Sequence, residues 1–297
     1  MKYKFIALLL ISPMVFSSTQ LIILGSGTPN PDPERAGSSY AVLTNGVPYL
    51  VDFGPGIIRK AASLSPNWGG QINGMNVINF EHAFLTHIHS DHSLGLSDLL
   101  LTPWVMGREK KLKLFGPMGL KGMAQSIVKA YKQDINYRIN GTQPANKTGY
   151  MYEFTKLKEG LVYKDENIEV EAFKVNHGDF NDAFGFRFTS TDKVIVFSGD
   201  TGPSKELEKH AANADILVHE VYSHAGFLKK TKAWQKYHKA HHTSTFEIGK
   251  IAQRIKPNLL ILSHILFWGS SPDEILQEVK SVYDGNVVIA NDLMVIN

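Results

Sequence analysis

At 297 residues, 43% hydrophobic and with a formal net charge of +3, the chain can bury a substantial core in one large domain or two fused halves. It carries no basic belt of the kind a dedicated nucleic-acid scaffold needs. Lys2 and Lys4 supply two of the three charges, and the densest basic run, Arg108–Lys113, reads as a solvated loop. The lack of cysteine excludes disulfides and a lipid-attachment cysteine.

In chain order, Lys2 and Lys4, the apolar run Phe5–Ile11 and the small residues Ser17 and Ser18 form the pattern of a secretory signal peptide over residues 1–18, with cleavage expected near Ser17. The run is too short for a stable membrane anchor, so the expected product is a soluble periplasmic or secreted domain spanning residues 19–297. Apolar β-rich runs then predict strands at Leu21–Leu24, Ser39–Leu43, Tyr49–Asp52, His82–Thr86 and Lys111–Phe115. Further strands are predicted at Val170–Val175, Phe184–Phe188, Val194–Ser198, Ile216–His219 and Leu259–Ser263. Helical patterns fall between them at Gly56–Leu64, Leu94–Leu101, Gly119–Tyr131, Phe246–Ile255 and Pro272–Val282, the last with Ser271 as N-cap and Pro272 in its first turn. Asn140–Gly149 is the best loop candidate. Interleaved strands and helices in both halves point to an α/β (α+β) chain whose sheets are covered by helices.

The segment Phe84–Leu96, FLTHIHSDHSLGL, places His87, His89, Asp91 and His92 within six positions behind an apolar strand. Side chains two apart in an extended segment point the same way. His87 and His89 can therefore close on one ion, and the following turn lets Asp91 and His92 converge on a second. Three more strands run into His177, Asp200 and His264, the position from which several strands aim polar groups into one crevice. This assigns His87, His89 and His177 to one ion and Asp91, His92 and His264 to the other, with Asp200 bridging. Imidazole and carboxylate without thiolate suit two Zn²⁺ ions, with Mn²⁺ or Fe as the other choices.

With these ligands in place, the chain resembles the metallo-β-lactamase-fold hydrolases, in particular their ribonuclease Z and arylsulfatase-like branch. Leu24–Pro29 is similar to that branch's glycine turn, Arg35–Ser39 to its Arg/Ser segment and Ala183–Arg187 to its aromatic-Gly-aromatic strand. Val51–Gly54 is similar to the segment whose aspartate, here Asp52, supports a metal-bound histidine. His219-Glu220 and His242-Thr-Ser-Thr resemble its two further motifs. The resemblance implies an αβ/βα four-layer sandwich with the metals at one edge. It also implies a metal-bridging hydroxide, with Asp91 in the catalytic set, and His242 as proton donor oriented by Glu220, His219 lying beside the ligands. Neighbouring His241 is the competing proton donor.

In ribonuclease Z an inserted arm between the third ligand strand and the bridging aspartate grips transfer RNA. Here His177 and Asp200 lie only 23 positions apart, room for one strand pair. The expected substrate is a small anionic phosphodiester or sulfate ester, and nucleic acid is not an expected partner. Lactonase, β-lactamase and ribonuclease activities are the competing readings. Trp104, Trp234 and Trp268 are candidates for a pocket wall, Trp268 foremost, and the apolar segment Leu99–Gly107 for a homodimer contact.

Overall fold

The computed structural model describes residues 18–297; the expected leader, up to its cleavage point near Ser17, lies outside them. In the N-terminal half, β1 (Gln20–Gly25), β2 (Ser39–Thr44) and β3 (Val47–Val51) form an antiparallel meander. β4 (His82–Phe84), β5 (Leu112–Gly116) and β6 (Tyr152–Lys156) add in parallel. The C-terminal half repeats the plan. β7 (Gly160–Lys164), β8 (Ile168–Lys174), β9 (Phe184–Ser190) and β10 (Val194–Phe197) run antiparallel, and β11 (Ile216–Tyr222), β12 (Leu259–Leu266) and β13 (Val287–Ile289) continue in parallel. β14 (Val295–Ile296) returns to pair with β1, so each sheet has seven strands among the described residues.

The apolar runs are continuous because both faces of each sheet are covered. In β1, Leu21 and Ile23 enter the layer between the sheets, with Phe84, Phe186, Phe188 and Ile261. Ile22 and Leu24 face the other way, into a layer under α1 (Ile57–Leu64), α3 (Leu96–Val105) and α4 (Met118–Ala130); the short α2 (Ser90–Ser93) precedes α3 and α5 (Lys132–Asn140) follows α4. On the second sheet, Leu217, Val221, Leu260 and Leu262 pack under α6 (Lys205–Ala211), α9 (Thr245–Ile255) and α10 (Pro272–Lys280). Between α6 and α9 the chain forms α7 (His224–Leu228) and α8 (Lys232–His241). Three apolar layers separate four structural ones, the αβ/βα sandwich expected.

Every predicted strand and helix is present within a few residues of its expected ends. The pattern missed β6 and β7, edge strands with half their side chains in water, and the three- and two-residue strands β13 and β14. It also missed the short helices α2, α6 and α7, too brief to show a helical period, and α5 and α8, which each bury a single residue. In Leu99–Gly107, the candidate homodimer contact, Leu99, Leu100, Leu101 and Trp104 point into the core, leaving Val105 and Met106 as its exposed large apolar side chains.

Candidate metal centre

The carboxyl ends of the parallel strands of both sheets open onto one edge of the sandwich, where the loops deliver the predicted side chains. His87 and His89 lie on the exit from β4, and Asp91 and His92 on α2 immediately after. His177 follows β8 and Asp200 follows β10. His264 differs from expectation because β12 does not end there. Its ladder pairs Ser263 with Glu220 and Ile265 with Val221, leaving His264 as the extra residue of a bulge, at φ 46°. A bulge re-aims a side chain out of the pleat, and His264 is turned toward Asp91, Nε2 to Oδ2 2.9 Å.

His87, His89, His177 and Asp200 each offer a ligand atom within 4.8 Å of the others, and so do Asp91, His92 and His264. Asp200 touches both groups: Oδ2 lies 3.9 Å from His87 Nε2 and 3.5 Å from His264 Nε2, and Oδ1 lies 3.4 Å from His92 Nε2. The arrangement suits divalent cations. Nitrogen faces nitrogen, with His87 Nε2 at 3.0 Å and His177 Nε2 at 3.2 Å from His89 Nδ1. His92 Nε2 and Asp200 Oδ1 are buried with no hydrogen-bond partner among the described residues. Lone pairs crowded together and left unsatisfied are costly unless a cation accepts them. A hard oxygen and imidazole set favours zinc, manganese or iron.

The outward ring nitrogens are tied down. Asp52 Oδ2 accepts from His92 Nδ1 at 2.7 Å, as the resemblance implied, and Asp52 also accepts from the Thr86 N–H and hydroxyl. Thr86 Oγ1 lies 3.0 Å from His87 Nδ1, and the His241 carbonyl accepts from His177 Nδ1 at 2.9 Å. Such contacts set the tautomer and aim of a ligating histidine. Sequence reasoning missed Thr86 and the His241 carbonyl; a hydroxyl directly before a ligand histidine was the available signal for the first. Gly54 packs α2 from below, where a Cβ would lie 2.2 Å from the Asp91 carbonyl.

His242 caps the C-terminal end of α8 and lines the cleft over the clusters. Its Nδ1 is 3.4 Å from Glu220 Oε2 and 4.0 Å from Asp200 Oδ2, and neither His242 Nδ1 nor Glu220 Oε2 has a hydrogen-bond partner among the described residues. Glu220 Oε1 accepts the Thr243 N–H at 2.9 Å, so the carboxylate is held beside the imidazole by the chain that follows it. His241 is turned aside: its Nδ1 donates to the Tyr237 carbonyl and its ring fills the space beside Gly178, where a Cβ would sit 2.1 Å from Nε2. His219 is a correction. It shares the helix-facing side of β11 with Leu217 and Val221, opposite Glu220, and its Nδ1 donates to the Glu220 carbonyl rather than contacting a candidate ligand.

Burial pushes His87 well below the usual histidine range and His177 down to about 4. For His92 burial acts the same way but is outweighed by Asp200, Asp91 and Asp52, which hold it well above the ordinary value. Asp200 is held well below a normal carboxylate because His264 and His92 overcome its burial. Burial and the Asp200 charge raise Glu220, and burial lowers His242 to about 4.

A cleft of about 350 Å³ leads to the clusters, walled by Pro29, Asn30, Trp234, Tyr237, His238 and Trp268. Trp104 is not in it: the ring projects from α3 into the core and its Nε1 donates to the Asn146 carbonyl.

Residues 49–265 match the beta-lactamase superfamily domain. A ribonuclease Z of Mycobacterium sp. (strain KMS) is 32% identical over 252 residues, 83% of this chain and 84% of that protein. Among solved structures, the metallo-beta-lactamase fold protein YhfI from Bacillus subtilis superposes with a TM-score of 0.70 at 19% identity, over 95% of this chain and 100% of the other. The short form of human tRNase Z superposes at 0.66 and 21% identity, over 94% and 98%.

Proposed function

The chain belongs to the beta-lactamase superfamily, within its ribonuclease Z branch, and from that premise we propose that it is an exported binuclear zinc hydrolase of small phosphodiesters. The observation that carries this reading is Asp200, whose two oxygens reach both histidine–aspartate clusters. His87, His89 and His177 would hold one ion and Asp91, His92 and His264 the other, Asp200 serving both. Divalent ions held there supply Lewis acidity and make a water acidic enough to act as nucleophile near neutral pH.

The chain's own groups do the rest. Asp52, Thr86 and the His241 carbonyl fix the ligand rings. His242, at the cleft wall with Glu220 at its Nδ1, is placed to hand a proton to the departing oxygen. A cleft of about 350 Å³ lies near the lower end of the roughly 300–1,000 Å³ typical of small-molecule sites. That size supports a small ester, and so does the short segment between His177 and Asp200, occupied by β9 and β10. The leader pattern supports export.

A second reading, ribonuclease activity, is favoured by the likeness to the mycobacterial ribonuclease Z. One panel on the zinc-loaded protein separates them: bis-p-nitrophenyl phosphate, p-nitrophenyl sulfate, nitrocefin, an acyl-homoserine lactone and a transfer-RNA precursor, with metal content measured in parallel. The expected result is fastest turnover of the phosphodiester with two zinc ions per chain. Cleavage confined to the RNA precursor, or to nitrocefin, would overturn it.

A further inference from the structure

α8 places Trp234, Tyr237, His238 and His241 three and four residues apart, on one stripe of the helix. Its Trp234, Tyr237 and His238 line the cleft that also holds His89, Asp91, Asp200, His242 and His264, while His241 turns aside. Trp234 lies nearly parallel to His238, ring centroids 5.5 Å apart at 22°, and His238 packs against Trp268 at 4.4 Å. Tyr237 meets Trp234 edge-on, 5.6 Å apart at 88°. Trp268 is held at φ 47°, a backbone state unfavourable for so large a residue and one that recurs at ligand clamps. Lys230 sits 4.7 Å over its ring and is the one Lys or Arg lining the cleft among the described residues.

The ladder is backed on one side and open on the other. Trp268 is covered by Tyr222, His238 and Lys230, whereas Trp234 is 54% exposed and Tyr237 39% exposed. Core packing does not account for Trp234, since α8 buries only His241. A rigid indole held at the mouth of a hydrolytic cleft, with its second face in water, has the geometry of a stacking platform.

We propose that Trp234 is a specificity-determining residue that stacks a flat aromatic ring of the substrate, so that the preferred esters carry a nucleobase or an aryl group beside the scissile phosphate. This rests on the phosphodiesterase reading above. The test uses three esters that share the p-nitrophenyl leaving group and its ring and differ in the retained group: methyl p-nitrophenyl phosphate, with no ring on the retained side, and phenyl p-nitrophenyl phosphate and thymidine 5′-(p-nitrophenyl phosphate), which bear one there. The wild type is expected to show a lower KM for the two ring-bearing esters. Trp234→Ala raises that KM about tenfold, the loss of one stacked ring, and brings the three esters together; Trp234→Phe restores most of the preference. The ring-bearing ester with the lower KM identifies the source as nucleotide or aryl. Thymidine 5′-monophosphate should quench the wild-type tryptophan fluorescence, and the quench should disappear in Trp234→Phe while competitive inhibition persists. An unchanged ratio of KM values in Trp234→Ala overturns the stacking role with the phosphodiesterase reading intact. Failure of the wild type to cleave any of the three esters overturns that reading instead, and the fluorescence titration then decides the stack by itself.

Discussion

Asp52 sits at φ 56°, a left-handed conformation that costs a non-glycine residue free energy, and it uses that turn to present both oxygens to Thr86 and His92. Asn tolerates the same backbone state, so Asp52→Asn isolates the charge. The expected outcome is a fall of roughly 10–100-fold in metal affinity, read by competition with a chromophoric chelator; unchanged affinity would reduce Asp52 to a turn residue. His242 makes the opposite prediction. His242→Ala should lower kcat by about 10²–10⁴ while metal content stays at the wild-type level. Loss of metal in that variant would make His242 a ligand and remove it as proton donor. His241, next to it, illustrates how a single residue step decides a role. The end of α8 turns one imidazole toward Gly178 and a backbone carbonyl, and the other toward the cleft.

The elements that matter most are the short ones at strand ends. α2 has only four residues, two of them candidate ligands, and its position depends on the close approach of Gly54, where a Cβ would meet the Asp91 carbonyl at 2.2 Å and Gly37 backbone at 2.4 Å. Gly54→Ala is expected to cost about 1–3 kcal/mol in denaturant unfolding and to weaken metal binding, because the displaced element carries Asp91 and His92. A variant that folds less stably yet binds metal as well as wild type would show that α2 adapts. At the start of β4, His82 stacks on Tyr49 at 5.2 Å and faces the Tyr163 hydroxyl and the Lys113 ammonium. Burial, then the Lys113 charge, pushes it down to about 4, with Glu81 and Asp165 pulling the other way. The unfolded imidazole takes its proton near pH 6.5, so the unfolded chain binds more protons between that pH and 4. The contribution is complete above about pH 6.5 and is lost as pH falls, by about 2 kcal/mol at pH 5. His82→Phe should flatten the pH 7.5-to-5.0 difference in urea stability by that amount; an unaltered slope would place the sensitivity in other groups.

For the whole molecule, the metal centre joins loops from both sheets, so ions bound there hold the two halves of the sandwich together at one edge. Each ion present at about 100 times its Kd would add about 2.7 kcal/mol, and its removal by a chelator should lower Tm by roughly 5–10 °C. No change in Tm with a chelator would mean that the clusters are not loaded. Much of this architecture was legible beforehand because its strands are buried on both faces and read as unbroken apolar runs. The polar edge strands β6 and β7 and the solvent-facing α8 carry no such signal. Sequence alone determined the donor chemistry, through His87, His89, Asp91 and His92 in one short segment, and the identity of the strands that end near His177 and Asp200. Tertiary structure decided which groups share a space: Asp91 meets His264 across 173 positions, a bulge aims the latter, and α8 brings Trp234 to the cleft. Spacing along a chain governs local direction, whereas a site built from distant strand ends depends on how two sheets pack and where their ladders break.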